Sequence, residues 1–227
     1  MALDQQKSEL AGAKYYVCVT RGFDEQGNSY LLSCSTENSL DGVQDKLNAV
    51  YFGHKVDLCI CDQGGFNNED DLDQFIRRNP RAYYYKGTSG KNLDGRSYVL
   101  SQNEKKLFLC DALKYQVKLL DLMYSPKRPS GYNWYLPLNV DETYFQQICS
   151  VKPNGRMAKD GNGYVYTNWA CFSGRRDYFD CEKEILVALD IMGDYYPANA
   201  YSHGRMPMFL AKEKIIALAR KKKLHRA

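Results

Sequence analysis

The sequence contains no run of apolar residues long enough to cross a bilayer. Its first six residues show neither the basic segment nor the apolar segment of a secretory signal, and no internal repeat is visible. These absences favour a globular protein that is neither secreted nor inserted in a membrane. The 227 residues suffice for one large domain, or for a domain with an appendage.

Closely spaced zinc ligands are also scarce. Cys59 and Cys61 form the one close pair among the eight cysteines, and the three histidines lie far apart in the chain. A structural zinc site needs paired ligands at short spacing, so the sequence argues against one. The apolar surroundings of four cysteines predict buried, reduced thiols in an intracellular protein; these are Cys18, Cys59, Cys61 and Cys181.

Charge does not dominate the composition. Hydrophobic residues make up 44% and charged residues 26% of the chain, which is ordinary for a soluble globular protein. The formal net charge of +4 permits a polyanionic partner without requiring one. The charge is uneven, because residues 212–226 are strongly basic and residues 69–73 are acidic.

The most informative stretch is residues 56–66, Val-Asp-Leu-Cys-Ile-Cys-Asp-Gln-Gly-Gly-Phe. It predicts a buried strand that delivers Asp62 to the carboxyl edge of a sheet, where open α/β sheets bind ligands. Because alternate residues share a strand face, Asp62 should lie on the side of Leu58 and Ile60, opposite the two cysteines. The local alternative is that Asp62 merely begins a turn.

Hydrophobic periodicity predicts an α/β fold with a mixed sheet. Strands are expected at 14–22, 29–35, 56–62, 82–87, 98–100, 106–111, 132–138 and 164–172, and helices at 39–52, 67–78, 115–123, 141–150 and 178–192. Val50 and Tyr51 are placed on the apolar face of the first helix, and residues 154–163 are predicted to form a loop. A further helix from about residue 207 precedes the basic tail.

Three acids should meet at one edge of this sheet. Asp4 stands on a first strand with too little chain before it for full length, Asp62 ends the central strand, and Asp180 begins a late amphipathic helix. A right-handed crossover places the first and central strands side by side. Clustered carboxylates repel one another unless cations are present, and such oxygen ligands suit Mg²⁺ or Mn²⁺. The local alternative has Asp177 as the helix cap and Asp180 supporting the first turn.

Seven segments, in this order, resemble the nuclease domain of phage terminase large subunits, particularly the lambda-like type. They are Asp4-Gln5-Gln6, the 14–35 hairpin, Asp62-Gln63-Gly64-Gly65, Tyr85-Lys86-Gly87-Thr88-Ser89-Gly90, Leu107-Phe108-Leu109-Cys110-Asp111, Tyr144-Phe145-Gln146-Gln147 and Asp177-Tyr178-Phe179-Asp180-Cys181-Glu182. No single segment is specific, whereas the ordered set is. The resemblance covers about residues 3–192.

The resemblance implies a ribonuclease H-like mixed sheet flanked by helices, with an additional hairpin and a C-terminal helical extension. Residues 1–194 would form the nuclease domain, and residues 195–227 the extension with its basic tail. The family cuts concatemeric double-stranded DNA during genome packaging with two divalent ions, Mg²⁺ or Mn²⁺. Its three acidic motifs fall on Asp4, Asp62 and Asp180, which are thus the expected catalytic and metal-binding residues.

The family's partners and location follow by the same resemblance. The expected partners are double-stranded DNA, an N-terminal ATPase domain, the portal and the small terminase subunit. The expected location is the cytoplasm of the infected host cell, with no membrane involved. This sequence contains no Walker-type phosphate-binding motif, so it resembles an isolated nuclease domain rather than a whole motor.

Some assignments stay open within this resemblance. Gln63 stands where the family commonly has a smaller residue, and Asp177 could replace Asp180 if the late helix begins earlier. Asp111 or Glu184 could join the site as a fourth acid. Basic side chains near the expected site are candidates for DNA phosphate contacts or for ordinary solvated charge; these are Lys86, Arg175 and Arg176. The alternative functions are another ribonuclease H-like nuclease, of resolvase or transposase type, and a non-catalytic DNA- or portal-binding module.

Overall fold

The computed structural model describes residues 1–7, 13–23, 28–63, 70–88, 93–104, 106–124, 133–153, 157–160, 163–166, 169–171 and 174–195. The strands are β1 (Ala2–Lys7), β2 (Lys14–Phe23), β3 (Ser29–Glu37), β4 (Val50–Tyr51), β5 (His54–Lys55), β6 (Cys59–Asp62), β7 (Ala82–Thr88), β8 (Tyr98–Leu100), β9 (Leu107–Asp111), β10 (Trp134–Tyr135), β11 (Val151–Pro153), β12 (Met157–Asp160), β13 (Gly163–Tyr166) and β14 (Trp169–Cys171). The helices are α1 (Leu40–Asn48), α2 (Asp70–Arg78), α3 (Ala112–Tyr124), α4 (Glu142–Ser150) and α5 (Asp177–Tyr195).

A mixed sheet of eight strands forms the centre of the molecule, in the order β10-β3-β2-β1-β6-β7-β9-β8. β2 is antiparallel to both of its neighbours, and β8 is antiparallel to β9. The pairs β1–β6, β6–β7 and β7–β9 are parallel, so these four strands end at the same edge of the sheet. The predicted α/β class, the hairpin and the parallel β6–α2–β7 unit are confirmed.

β1 is a complete strand, contrary to the expectation that too little chain precedes Asp4. Six residues, Ala2 to Lys7, pair with β2 along their whole length. Ala2 and Leu3 also pair with β6. The strand begins almost at the first residue and continues beyond Asp4, so backbone pairing on both sides of that residue fixes its position.

Helices cover both faces of the sheet and enclose two apolar cores. One core includes Leu58 and Ile60, with residues of α3, α4 and α5. The other includes Cys59 and Cys61, with residues of α1 and α2. The predicted alternation of side chains between the two faces of this strand is therefore confirmed. Asp62 belongs to the face that α5 covers.

Several segments differ from the expected elements. Only Trp134 and Tyr135 of the strand expected at 132–138 form β10, and the strand expected at 164–172 is replaced by two, β13 and β14, which pair with β12 and β11. Helix α1 ends at Asn48, and Val50 and Tyr51 belong to the short hairpin β4–β5 instead of the helix. Phe52 and Gly53 form its turn with φ values of 51° and 85°, a combination suited to a two-residue hairpin turn. Residues 157–160, expected in a loop, form β12 and pair with β13.

Helix α5 is buried along most of its length, and a charged network fixes it to the sheet. Arg21 on β2 forms an ion pair with Glu182, 2.6 Å from Nε to Oε2, and both side chains are fully buried. Tyr144 on α4 donates its hydroxyl hydrogen to Glu182 and accepts a bond from Arg21 Nη2. Glu182 thus faces β2 and α4, which sets the rotation of α5 about its own axis.

The 195–227 extension and its basic tail lie, beyond Tyr195, outside the described residues. Among the described helices, none combines the length and the apolar character needed to span a bilayer.

Candidate active site

Backbone pairing brings Asp4 and Asp62 together. In the parallel pair β1–β6, Ala2 lies opposite Ile60 and Leu3 opposite Cys61, so the two aspartates follow on adjacent strands. Ala2 and Ile60 both belong to the core beneath α5. Because alternate strand residues share a face, Asp4 and Asp62 both present their carboxylates to α5.

Helix α5 adds two more acids from above. It packs against β1, β2 and β6. Asp180 and Glu184 are four residues apart and so lie on the same side of the helix. Glu182, two residues from each, is directed to the opposite side by its ion pair with Arg21. Four carboxylates from three elements thus converge; we call Asp4, Asp62, Asp180 and Glu184 the acidic cluster.

The electrostatics of Asp4 show how close these groups are. Its side chain is almost completely buried, with 7% of the residue exposed. Burial, followed by repulsion from Asp62, raises the pKa of Asp4 to about 8, and Asp180 contributes further repulsion. A hydrogen bond of 2.8 Å from Gln6 Nε2 to Asp4 Oδ2 partly opposes the increase.

Glu184 is the most deeply buried acid of the cluster. It is 0% exposed, and neither carboxylate oxygen has a hydrogen-bond partner among the described residues. Burial raises the pKa of Glu184 well above its ordinary value, and repulsion from Asp62 and Asp4 adds to the effect. A buried carboxylate without partners costs free energy, so this group needs either a proton or a cation.

Asp180 is already neutralised by two cations. Lys183 Nζ lies 2.6 Å from Asp180 Oδ1, and Arg176 Nε lies 3.0 Å from Oδ2. The Lys183 side chain is only 9% exposed, whereas that of Arg176 is 47% exposed. Burial favours a lower pKa for Lys183, but attraction to Asp180, Glu184 and Asp62 outweighs it and the pKa is raised.

The donor chemistry of the cluster fits a hard divalent cation. Carboxylate oxygens are the ligands that Mg²⁺ and Mn²⁺ prefer, and the unpartnered oxygens of Glu184 are free to coordinate one. In the described part of the chain, however, no three Asp, Glu, Cys or His side chains stand in a metal-binding arrangement. An ion would therefore have to draw the carboxylates closer together.

The two other acids considered from the sequence have local partners. Asp177 is the first residue of α5 and forms an ion pair with Arg175. Its charge also raises the pKa of Asp4, but by less than burial, Asp62 and Asp180 do. Asp111 ends β9, and its Oδ1 accepts a hydrogen bond of 3.1 Å from the backbone N–H of Lys114. That bond satisfies a donor in the first turn of α3, as a capping residue does.

The expected DNA-binding residues occupy different positions around the cluster. Arg176 binds Asp180, and Arg175 contacts Tyr15 as well as Asp177. Lys86 is exposed on β7, next to Tyr85. Since Tyr85 packs in the core beneath α5, alternation places the Lys86 side chain on the opposite face of the sheet from the acids.

Sequence reasoning missed two residues of this site. Lys183 was not singled out, although a charged run of Glu182, Lys183 and Glu184 inside an otherwise apolar helix was a usable signal. Tyr85 lies opposite Asp62 in the β6–β7 register, and its buried hydroxyl has no partner among the described residues. Burial, then the charges of Glu184, Cys110 and Asp62, raise the pKa of Tyr85.

Comparison with known proteins identifies no relative. No family model matches the chain, and neither a curated protein nor a solved structure matches it. The assignment of function therefore depends on the chemistry of the acidic cluster and on the arrangement of the sheet.

Proposed function

We propose that this protein is a divalent-metal-dependent endonuclease that hydrolyses phosphodiester bonds in double-stranded DNA. The observation that carries the proposal is the burial of Glu184, unpartnered, against Asp4 and Asp62. A glutamate with only a structural role at this position should have a hydrogen-bond or ion-pair partner, because unpaired buried charge is destabilising. A carboxylate kept without a partner is typical of a site that binds a cation.

The fold supports this reading by analogy. The central strands follow the order β3-β2-β1-β6-β7, with only β2 antiparallel, and α5 crosses the face that carries the acids. This arrangement is compatible with a ribonuclease H-like fold, in which acids from the first strand, the fourth strand and a late helix form the active site. Fold alone does not define an activity, so the acids remain the stronger support.

Each residue of the cluster has a role in this proposal. Asp4, Asp62 and Glu184 would hold the ion, and the backbone pairing of β1 with β6 would fix the first two. A bound Mg²⁺ or Mn²⁺ would lower the pKa of a coordinated water and stabilise the charge that develops on the phosphate. Asp180 would complete the pocket, positioned by Lys183 and Arg176.

A groove at the amino end of α5 offers room for a nucleic-acid strand, although none of the four acids of the cluster lines it. Its volume is about 730 Å³, and it runs beside the amino end of α5, where Asp177 and Arg175 line it together with Lys14 and Tyr15. Basic side chains suit phosphates, and an aromatic ring suits a base or sugar. The resemblance to terminase nucleases extends the proposal to cutting concatemeric viral DNA during packaging, in partnership with an ATPase domain, the portal and the small subunit.

Plasmid cleavage tests the activity directly. The chain is incubated with supercoiled plasmid and Mn²⁺, beside an Asp62→Asn variant and an Asp45→Asn control, in which an exposed acid on α1 is changed. We expect the unaltered chain and the control to nick and linearise the plasmid, and Asp62→Asn to be inactive. Equal cleavage by all three proteins would refute the proposed active site.

Two further outcomes distinguish the alternatives. Cleavage of branched junctions or RNA–DNA hybrids, without cleavage of linear duplex, would indicate another ribonuclease H-like nuclease. No cleavage of any substrate over a wide range of Mn²⁺ concentrations, combined with DNA binding, would indicate a non-catalytic module.

A further inference from the structure

Tyr85 on β7 has a buried hydroxyl group to which the proposed function assigns no role. The residue is 2% exposed, and its hydroxyl oxygen has no hydrogen-bond partner among the described residues. Burying a hydroxyl without a partner costs free energy, and a phenylalanine of nearly the same shape would pack here without that cost. The hydroxyl is therefore expected to bind an acceptor when the site is in use.

The Tyr85 ring is held on the side of the sheet that carries the acidic cluster. Tyr85 lies opposite Asp62 in the β6–β7 register and belongs to the core beneath α5. The Lys183 ammonium lies 5.8 Å from the centre of the ring, within the range of a cation–π contact. Gly87 leaves space for the hydroxyl, because a Cβ atom at that position would lie only 3.2 Å from the hydroxyl oxygen.

Glu184 is the acceptor that the surroundings of Tyr85 favour. Both of its carboxylate oxygens are buried without a partner among the described residues, as the hydroxyl is. Burial raises the pKa of Tyr85, and the largest effect of any charge that adds to it comes from Glu184, which indicates that the two groups are near each other. Asp180 is less suitable, because both of its oxygens already bind cations. A buried donor and a buried acceptor thus share this part of the core.

We propose that Tyr85 is a positioning residue of the metal site, and that its hydroxyl donates a hydrogen bond to the Glu184 carboxylate when Glu184 holds the divalent ion. Carboxylates that ligate metals are themselves hydrogen-bonded by neighbouring groups, which fix their orientation. Hydrogen bonds of an active site are often long in the free protein and shorten in the complex. This inference rests on the proposed function and adds the group that orients one of the metal ligands.

The substitution Tyr85→Phe tests the inference, because it removes the hydroxyl and keeps the ring. Tyr115→Phe is the matched control. Tyr115 is also buried, but its hydroxyl donates a hydrogen bond of 3.1 Å to Oδ2 of Asp190, which is not part of the acidic cluster. Electron paramagnetic resonance of free Mn²⁺ gives the dissociation constant of each protein, with and without a short DNA duplex. Thermal denaturation in metal-free buffer gives its stability.

The two variants should respond in opposite ways. Tyr85→Phe is expected to raise the dissociation constant for Mn²⁺ about 10–100-fold, as is typical when a group that orients a metal ligand is lost. Its unfolding temperature without metal should equal or exceed that of the unaltered chain, because no hydrogen bond is removed. Tyr115→Phe should bind Mn²⁺ as the unaltered chain does and should unfold at a lower temperature, because it leaves a hydrogen bond unmade.

The outcomes separate this inference from the proposed function. If the unaltered chain and Tyr85→Phe bind Mn²⁺ equally well, the role of Tyr85 is overturned and the nuclease proposal remains. A loss of metal-free stability as large as that of Tyr115→Phe, or failure of Tyr85→Phe to fold, would also overturn it, because the hydroxyl would then have a structural partner. No Mn²⁺ bound to the unaltered chain, with or without DNA, would refute both proposals.

Discussion

Glu184 is the residue whose environment is hardest to explain structurally. A glutamate that is 0% exposed and has no hydrogen-bond partner is destabilising if charged, and a leucine or glutamine at the same position would pack without that cost. Its retention is understandable if the protein binds a cation there. Stability and activity should therefore respond to its substitution in opposite directions.

Glu184→Gln is expected to unfold at a temperature equal to or higher than the unaltered chain in metal-free buffer, because it removes a buried ionisable group. Its Mn²⁺-dependent cleavage of plasmid should fall at least about 100-fold, since changes in residues that only support metal ligands already cost about 10–100-fold. Thermal denaturation and initial cleavage rates measure the two effects. Glu142→Gln, at an exposed position on α4, should change neither.

The titration of Asp4 predicts how stability varies with pH. Its pKa is raised to about 8 in the folded chain, from 3.8 in the unfolded chain, so between these values the folded state binds more protons. Stability must therefore decrease as pH rises through this window, by up to about 1.4 kcal/mol per pH unit from this group. Glu184, whose pKa is also raised, acts in the same direction.

Urea denaturation between pH 5 and 8, in the presence of a chelator, measures this dependence. The unaltered chain should lose stability relative to Asp4→Asn as the pH increases, and Mn²⁺ at pH 8 should recover much of the loss. A constant difference between the two proteins across this range would show that Asp4 does not titrate there.

Helix α5 owes its orientation over the sheet to the way it is anchored. The Arg21–Glu182 ion pair, closed by Tyr144 and by the Trp134 ring 4.1 Å from the Arg21 guanidinium, fixes one side of the helix. The opposite side then presents Asp180 and Glu184 to β1 and β6. Loss of the anchor should disturb the site without removing any of its acids.

Arg21→Met is expected to destabilise the protein by about 3–5 kcal/mol, because it leaves Glu182 buried and unpaired. Urea denaturation measures the change. Arg77→Met is a suitable control, because the Arg77–Asp73 ion pair is 3.9 Å long and the Arg77 side chain is 81% exposed. Loss of this ion pair should cost less than about 1 kcal/mol. A comparable effect of the two substitutions would contradict the anchoring role.

The elements that sequence periodicity predicted were those with strong local signals. Ser39 caps α1 by accepting a bond of 3.3 Å from Gly42 N–H, and Asp141 caps α4 by accepting one of 3.0 Å from Tyr144 N–H. The β4–β5 hairpin was missed because Phe52 adopts a positive φ that its residue type does not suggest. A first strand carrying Asp4 was predicted, but its length was underestimated, because its pairing with β2 and β6 depends on residues distant in the sequence.

At the scale of the whole molecule, the meeting of Asp4, Asp62 and Asp180 could be predicted because it follows from chain order and crossover handedness. The pairing of Asp180 with Lys183 and Arg176 could not, since it depends on how α5 is rotated over the sheet. That rotation is fixed by Glu182 and Arg21, which are 161 residues apart in the chain. Long-range polar contacts of this kind leave no periodic pattern in a sequence.

DNA binding should be dominated by phosphate contacts and should weaken with salt. Arg175→Gln is expected to lower affinity for all duplex sequences alike and to reduce the slope of log affinity against log salt concentration by about 1. Fluorescence anisotropy with two unrelated duplexes measures both quantities. Arg78→Gln, on the face of the sheet that α2 covers, should leave the slope unchanged.

The most direct test of the acidic cluster is a crystal of the protein soaked in Mn²⁺ and examined for anomalous scattering. We predict a peak at coordination distance from the carboxylates of Asp4, Asp62 and Glu184. Mn²⁺ ordered elsewhere on the protein at saturating concentration, with no peak among these three side chains, would contradict the proposed site and the phosphodiesterase chemistry that depends on it.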